Sequence, residues 1–147
     1  MAYDDMQTPQ PDAGTRVKVL VIDDSQTIRR SAETLLSAAG YVVVTAADGF
    51  EALAKVAEEN PDLIFIDIMM PRLDGFQACA LIKSNPRYAA TPVVMLSSKD
   101  GLFDRARGRL AGADEYLTKP FTKDQLLGAV RQHLHEDSHE EVPATPA

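Results

Sequence analysis

The chain has 147 residues, room for one domain with a genuine core and too few for two ordinary ones. Its net charge of −7 sits in the ends: residues 1–15 carry Asp4, Asp5 and Asp12, and residues 136–147 carry Glu136, Asp137, Glu140 and Glu141. The stretch between them holds 15 basic side chains and as many acidic ones, so no basic stripe invites nucleic acid. No apolar run approaches the roughly 20 residues that span a bilayer, and the start lacks a basic-then-apolar leader pattern, so membrane insertion and export are not expected and the cytoplasm is. The single Cys79 excludes an internal disulfide and, inside a helical pattern, reads as a small core residue.

Residues 1–15, with Pro9, Pro11 and Gly14 and few apolar side chains, are expected to be a disordered tail. The first strand is predicted near 17–22 and leads into a helix near 26–39, with Ile28, Ala32, Leu35, Leu36 and Ala39 on one face and Gly40 at its C′ position. A strand near 41–45 follows, then a helix near 49–59 opened by Asp48 with Glu51 as a capping box and stopped by Asn60-Pro61. The strand 62–66 is almost wholly apolar, as expected when helices cover both faces of a sheet. The next helix, near 75–84, is opened by Asp74-Gly75 and closed by Asn85-Pro86. A strand at 92–96, a helix near 101–111 ending at Gly112, and a strand at 114–118 come next. Thr122 and Gln125 form a capping box for the last helix, 122–135, which buries Leu126, Leu127, Val130 and Leu134. Residues 136–147 read as an acidic disordered tail, leaving 16–135 as a single folded domain. Five strand–helix alternations predict an α/β fold, (βα)₅, with right-handed crossovers and one doubly wound parallel sheet between two helix layers.

In such a sheet the carboxyl ends of the strands open into one crevice where ligands bind. Here those ends carry Asp23-Asp24, Asp67, Ser97 and Lys119. Each alone has an ordinary reading: the Asp pair as a turn or helix cap, Asp67 as a turn, Ser97 as loop polarity, Lys119 as a solvated cation. Ser25 also suits the first helix as a cap, which leaves the acidity of Asp24 harder to explain structurally. Together they describe phosphoryl chemistry. An aspartate nucleophile accepts a phosphoryl group as an acyl phosphate, and because donor and acceptor are both anionic, cations must hold them together. Mg²⁺, with Mn²⁺ as its substitute, takes octahedral oxygen ligands from one or two carboxylates, waters and phosphate. Asp24 and Asp67 can ligate it directly, Asp23 directly or through water, and Met69 through its backbone carbonyl if its side chain points away. Lys119 can hold a phosphoryl oxygen, and Ser97 can reach one only after transfer.

The segments Val-Ile-Asp23-Asp24-Ser, Phe-Ile-Asp67-Ile-Met-Met-Pro-Arg-Leu-Asp74-Gly75, Met-Leu-Ser97-Ser98 and Tyr116-Leu-Thr-Lys119-Pro120-Phe121 resemble the receiver domain of two-component response regulators, the CheY-like family. The likeness covers about residues 16–135. It implies a flavodoxin-like sheet of order 2-1-3-4-5, a shape for which the chemotaxis regulator CheY is a standard example. It implies Asp67 as phosphoacceptor, Asp23 and Asp24 as the metal pair, Lys119 as the phosphate-binding lysine, Ser97 as the switch hydroxyl (where Thr is commoner) and Tyr116 as the aromatic switch that swings inward. It also implies a cis Lys119–Pro120 bond, and places Met69 and Lys99 where they tune loss of the phosphoryl group. More narrowly, Ser-Gln-Thr-Ile-Arg-Arg, Asp-Gly-Phe-Glu-Ala-Leu-Ala-Lys and Ser-Ser-Lys-Asp-Gly-Leu-Phe-Asp resemble the PilG-type receivers of type IV pilus, or twitching, chemosensory systems.

The implied partners are a histidine kinase of the CheA type and a pilus-machinery or signalling protein docking on the helix 101–111, Tyr116 and helix 122–135. With only a short tail after residue 135, output is expected through protein contact in a stand-alone receiver that catalyses its own phosphotransfer and autodephosphorylation rather than a free-standing enzyme. Onward transfer to a histidine on another protein, as a phosphorelay intermediate, is the alternative. A haloacid-dehalogenase-type phosphatase is disfavoured, because it needs Asp-x-Asp after its first strand and this chain has Asp23-Asp24. Nucleotide-binding glycine loops are absent from the sequence. A receiver-shaped scaffold that no longer takes phosphate runs against the intact set of five residues. His133, His135 and His139 read as solvated rather than as metal ligands. Gly108, inside the helix 101–111, costs about 1 kcal/mol relative to Ala and suits either a segment that repacks or a close packing contact.

Overall fold

The computed structural model describes residues 16–98 and 101–134, with the side chain of Leu102 excepted. The expected tails at 1–15 and 136–147, and the positions Lys99, Asp100 and His135, lie outside the described residues.

Apolar runs flanked by turn residues form strands β1 (Lys18–Ile22), β2 (Val42–Ala46), β3 (Leu63–Asp67), β4 (Val93–Ser97) and β5 (Glu115–Thr118). They alternate with helices α1 (Gln26–Ala38), α2 (Gly49–Glu59), α3 (Gly75–Ser84), α4 (Leu102–Leu110) and α5 (Lys123–Leu134). The strands are parallel and lie in one sheet of order β2-β1-β3-β4-β5, the flavodoxin-like 2-1-3-4-5 arrangement. Three strands run one residue later than their apolar patterns predict, so Asp67 and Ser97 are the last residues of β3 and β4 and not the first of a loop. The ladder uses backbone groups and is indifferent to a polar side chain at its end. Asp67 pairs with Leu96, and Ser97 with Thr118.

Strand residues alternate between the two faces, and each set meets helices. Val19, Val21, Leu63, Phe65, Val94 and Leu96 pack with Ala32, Leu36, Leu126 and Val130 of α1 and α5. Leu20, Ile22, Ile64, Ile66 and Met95 pack with Val56, Phe76, Cys79 and Ile82 of α2 and α3. Burying each of the larger chains contributes roughly 1.5–3 kcal/mol, which makes the sheet the rigid body from which the strand ends project. Ala39 is exposed, against expectation, because it caps α1 beyond its last helical residue, before the chain turns at Gly40 with φ 98°.

Caps fix the helix starts. Ser25 Oγ accepts the Ile28 N–H at 3.3 Å, and Thr122 and Gln125 make the expected reciprocal box at 3.0 and 2.8 Å. Asp48 accepts the Glu51 N–H, but the Glu51 carboxylate takes the Ala47 N–H in place of that of Asp48. Asp74 and Gln77 form a full box at 2.8 and 2.9 Å that the sequence reading did not identify. In α4, Gly108 is the one buried position among the residues whose burial is described. A Cβ there would meet Met95 Sδ at 3.2 Å, so a packing requirement accounts for this glycine.

Candidate functional site

The register Ile22↔Ile66 between adjacent strands β1 and β3 sets the next residues, Asp23 and Asp67, side by side at the carboxyl edge of the sheet. Chain order reverses between these two strands, and that is where open α/β sheets bind ligands. Asp23 and Asp67 are buried, Asp24 is exposed, and one oxygen from each falls within 4.8 Å of the others.

Lys119 closes the site from the end of β5. Its Nζ donates to Asp23 Oδ2 and to Asp67 Oδ1, each at 3.0 Å. Its N–H donates to the Ser97 carbonyl at 2.6 Å, which ties the end of β5 to the end of β4; the Lys119–Pro120 peptide is cis, as the resemblance implies. Burial, then the charge of Asp23 and to a lesser degree that of Asp24, push the Asp67 carboxyl up to about 6, against the pull of the Lys119 hydrogen bond and charge. Burial pulls the Lys119 ammonium down, but its bonds to Asp23 and Asp67 and their charges outweigh that and raise it. The ammonium therefore stays charged and offsets part of the repulsion between the carboxylates. The donors are all hard oxygens, a set that fits Mg²⁺ or Mn²⁺ and would offset the remainder.

Asp23 is held at every polar atom. Its N–H donates to the Ala46 carbonyl at 3.1 Å, its Oδ1 accepts the Ser25 N–H at 2.9 Å, and its carbonyl accepts Arg29 Nη1 at 2.7 Å. The Arg29 contact escaped sequence reasoning: it lies in the Ser-Gln-Thr-Ile-Arg-Arg segment, but nothing there says that the guanidinium folds back onto the main chain. Met69 donates its N–H to Asp67 Oδ1 at 3.4 Å, and the residue is 60% exposed. Behind Asp67 the start of α3 presses on the strand, with the Gly75 N–H on the Ile68 carbonyl at 2.9 Å.

Ser97 is buried and lines, with Met69, Asp104 and Arg107, a cavity of about 580 Å³ beside the acids. Tyr116 lies inward, 9% exposed, with the Arg105 guanidinium 4.7 Å above its ring, and Arg107 stacks on Phe76 at 4.2 Å. Two cation–π contacts thus hold α4 between β5 and α3. Tyr116, Arg105, Arg109 and Glu115 line a second cavity of about 290 Å³. His133 is not solvated as expected: its side chain is half-buried and its Nε2 lies 2.5 Å from Glu115 Oε1, because α5 packs beside β5. Cys79 is buried, and that burial pushes its thiol up to about 11.

The profile of the response regulator receiver domain matches residues 19–131. The chain belongs to this family. PilG of Pseudomonas aeruginosa is 65% identical over 118 residues, 80% of this chain and 87% of that protein. The response regulator MprA of a Mycobacterium species is 41% identical over 131 residues, 89% of this chain but only 56% of MprA. Among solved structures, the Vibrio cholerae chemotaxis protein CheY4 superposes with a TM-score of 0.79 at 38% identity, covering 82% of this chain and all of CheY4. The receiver is therefore a signalling protein of the two-component and chemotaxis class, and no helix among its described residues is long and apolar enough to cross a membrane.

Proposed function

We propose that this receiver accepts a phosphoryl group on Asp67 from a phosphohistidine of a CheA-type kinase and passes the change to a partner at its α4–β5–α5 face, in the control of type IV pilus twitching. The observation that carries the reading is the Lys119 ammonium shared by Asp23 and Asp67, each at 3.0 Å, within a trio of acids at the strand ends. A catalyst of acyl-phosphate formation needs an acid nucleophile, fixed positive charge and a cation seat in one place.

Asp23, Asp24, Asp67 and the Met69 carbonyl would hold Mg²⁺ or Mn²⁺, which supplies positive charge to the phosphoryl oxygens. An Asp67 carboxylate oxygen attacks phosphorus, the phosphorus–nitrogen bond of the donor breaks, and the imidazole leaves with the electron pair. Lys119 then moves its bond from Asp67 to a phosphoryl oxygen, and Ser97 donates to another. Because β4 carries Ser97 and its neighbour β5 carries Tyr116, that movement reaches the Tyr116–Arg105 stack and the face around it. Similarity to PilG favours the twitching pathway and a cytoplasmic setting. Residues 16–135 act as the receiver, with 1–15 and 136–147 as flanking tails.

Intact-protein mass after incubation with acetyl phosphate, with and without Mg²⁺, tests the chemistry. One Mg²⁺-dependent phosphoryl adduct is expected in wild type and none in Asp67→Asn. An adduct that forms equally without divalent metal, or persists in the variant, overturns the reading.

A further inference from the structure

We propose that Arg29 is a positioning residue for the acidic cluster: its guanidinium, bonded to the Asp23 carbonyl, fixes the direction in which the Asp24 carboxylate leaves the chain and so sets the affinity of the site for a divalent cation. The proposal rests on the metal-dependent reading of the cluster given above.

The side chain and N–H of Asp23 are committed to Lys119, Ser25 and Ala46. What remains free is the plane of the Asp23–Asp24 peptide. Arg29 Nη1 takes its carbonyl oxygen at 2.7 Å. Because a peptide is planar, holding that oxygen also holds the N–H and Cα of Asp24. Asp24 depends on this, since it is exposed and no side-chain hydrogen bond or ion pair ties it to another described residue. The direction of its Cα–Cβ bond is inherited from the backbone, and only its own two side-chain torsions remain to place the carboxylate.

Arg29 is itself well anchored. Its N–H donates to the Ser25 carbonyl at 3.0 Å in the first turn of α1, and a long helical side chain leans back toward the N-terminus, here onto the turn that carries the acids. The guanidinium makes no ion pair with a carboxylate among the described residues, although Asp24 stands five positions earlier. A bidentate pair with Asp24 would take a ligand out of the site; a bond to the carbonyl leaves it available.

The two effects of Arg29 on a bound cation have opposite signs. Its charge repels a divalent ion and weakens binding. Its hold on the peptide orients a ligand and strengthens binding, as partners behind metal ligands commonly do by about 10–100-fold. Removing the side chain separates them: tighter binding if charge dominates, weaker if position dominates.

The experiment is calorimetric titration of Mg²⁺ into wild type, Arg29→Ala, Arg29→Lys and Asp24→Ala, with amide ¹⁵N shifts recorded before metal is added. Arg29→Ala is expected to weaken Mg²⁺ binding about tenfold or more. Arg29→Lys, which keeps the charge and one donor, recovers part of the loss. The Asp24 amide shift moves in Arg29→Ala without metal, because the carbonyl preceding it loses its donor. If wild type binds Mg²⁺ and Arg29→Ala binds it as tightly or more tightly, the positioning role is overturned and the metal site stands. If wild type and Asp24→Ala both bind no Mg²⁺, the metal reading falls and this inference falls with it.

Discussion

Gly75→Ala is expected to cost this domain about 4 kcal/mol, whereas Gly128→Ala stabilises it. An ideal Cβ on Gly75 falls 2.3 Å from the Asp67 carbonyl oxygen, 2.8 Å from Ile68 Cα and 2.9 Å from the Asp67 carbonyl carbon. Carbon–oxygen contacts ordinarily begin at about 3.3 Å, so α3 and the end of β3 must part by about 1 Å. Every atom met is backbone, and no rotamer change relieves the clash. Overpacking of this kind costs about 1–3 kcal/mol. The same separation breaks the 2.9 Å bond from the Gly75 N–H to the Ile68 carbonyl, and an unpaired buried group costs about 1–3 kcal/mol more. At Gly128, inside α5, a Cβ meets nothing within 4 Å, and replacing a helical glycine by alanine gains about 0.5–1 kcal/mol. Urea denaturation reads both, and acetyl phosphate labelling of Gly75→Ala reports the displaced Asp67 as a slower reaction. A Gly75→Ala protein within about 0.5 kcal/mol of wild type would refute the close approach as the reason for glycine.

Without metal, the Asp67 carboxyl at about 6, above the ordinary 3.8, binds its proton more tightly in the folded state. Its favourable effect is thus complete below about pH 3.8 and is lost as pH rises through about 6. Asp67→Asn should therefore exceed wild type in stability by about 2–3 kcal/mol at pH 8 and match it near pH 4, by urea titration; an equal offset at both would contradict this. Lys119→Met leaves Asp23 and Asp67 without their shared ammonium, so the Asp67 carboxyl should titrate above about 6 by NMR and labelling by acetyl phosphate should slow; an unmoved titration counts against the bridge. Cys79, buried and with its thiol near 11, should react with a disulfide reagent only as the domain unfolds in urea, and stoichiometric reaction of the folded protein would exclude that burial.

The strand ends were legible because an apolar run stops abruptly at Asp23, Asp67 and Ser97, and a parallel sheet collects such stops on one edge. What pattern could not supply is how those residues are tied. Lys119 reaches partners 96 and 52 residues away, and no local period encodes that pairing. Gly75 and Arg29 both act on main-chain atoms, of Asp67 and Asp23, so no complementary side chain advertises them. Charge and spacing alone do not show that Arg105 and Arg107 of α4 lie over Tyr116 and Phe76, two rings supplied by separate elements. Conversely Ala39 kept the helical period and still lies exposed, because the helix had already ended.

Chemical mapping of the modified residue tests the central claim most directly. The receiver is labelled with acetyl phosphate and Mg²⁺, reduced with borohydride, which converts an aspartyl phosphate to homoserine, and sequenced by mass spectrometry. Homoserine at position 67 alone is the expected result. Homoserine at another acid, or none where the intact protein carries a phosphoryl group, would contradict the assignment of Asp67 as the acceptor.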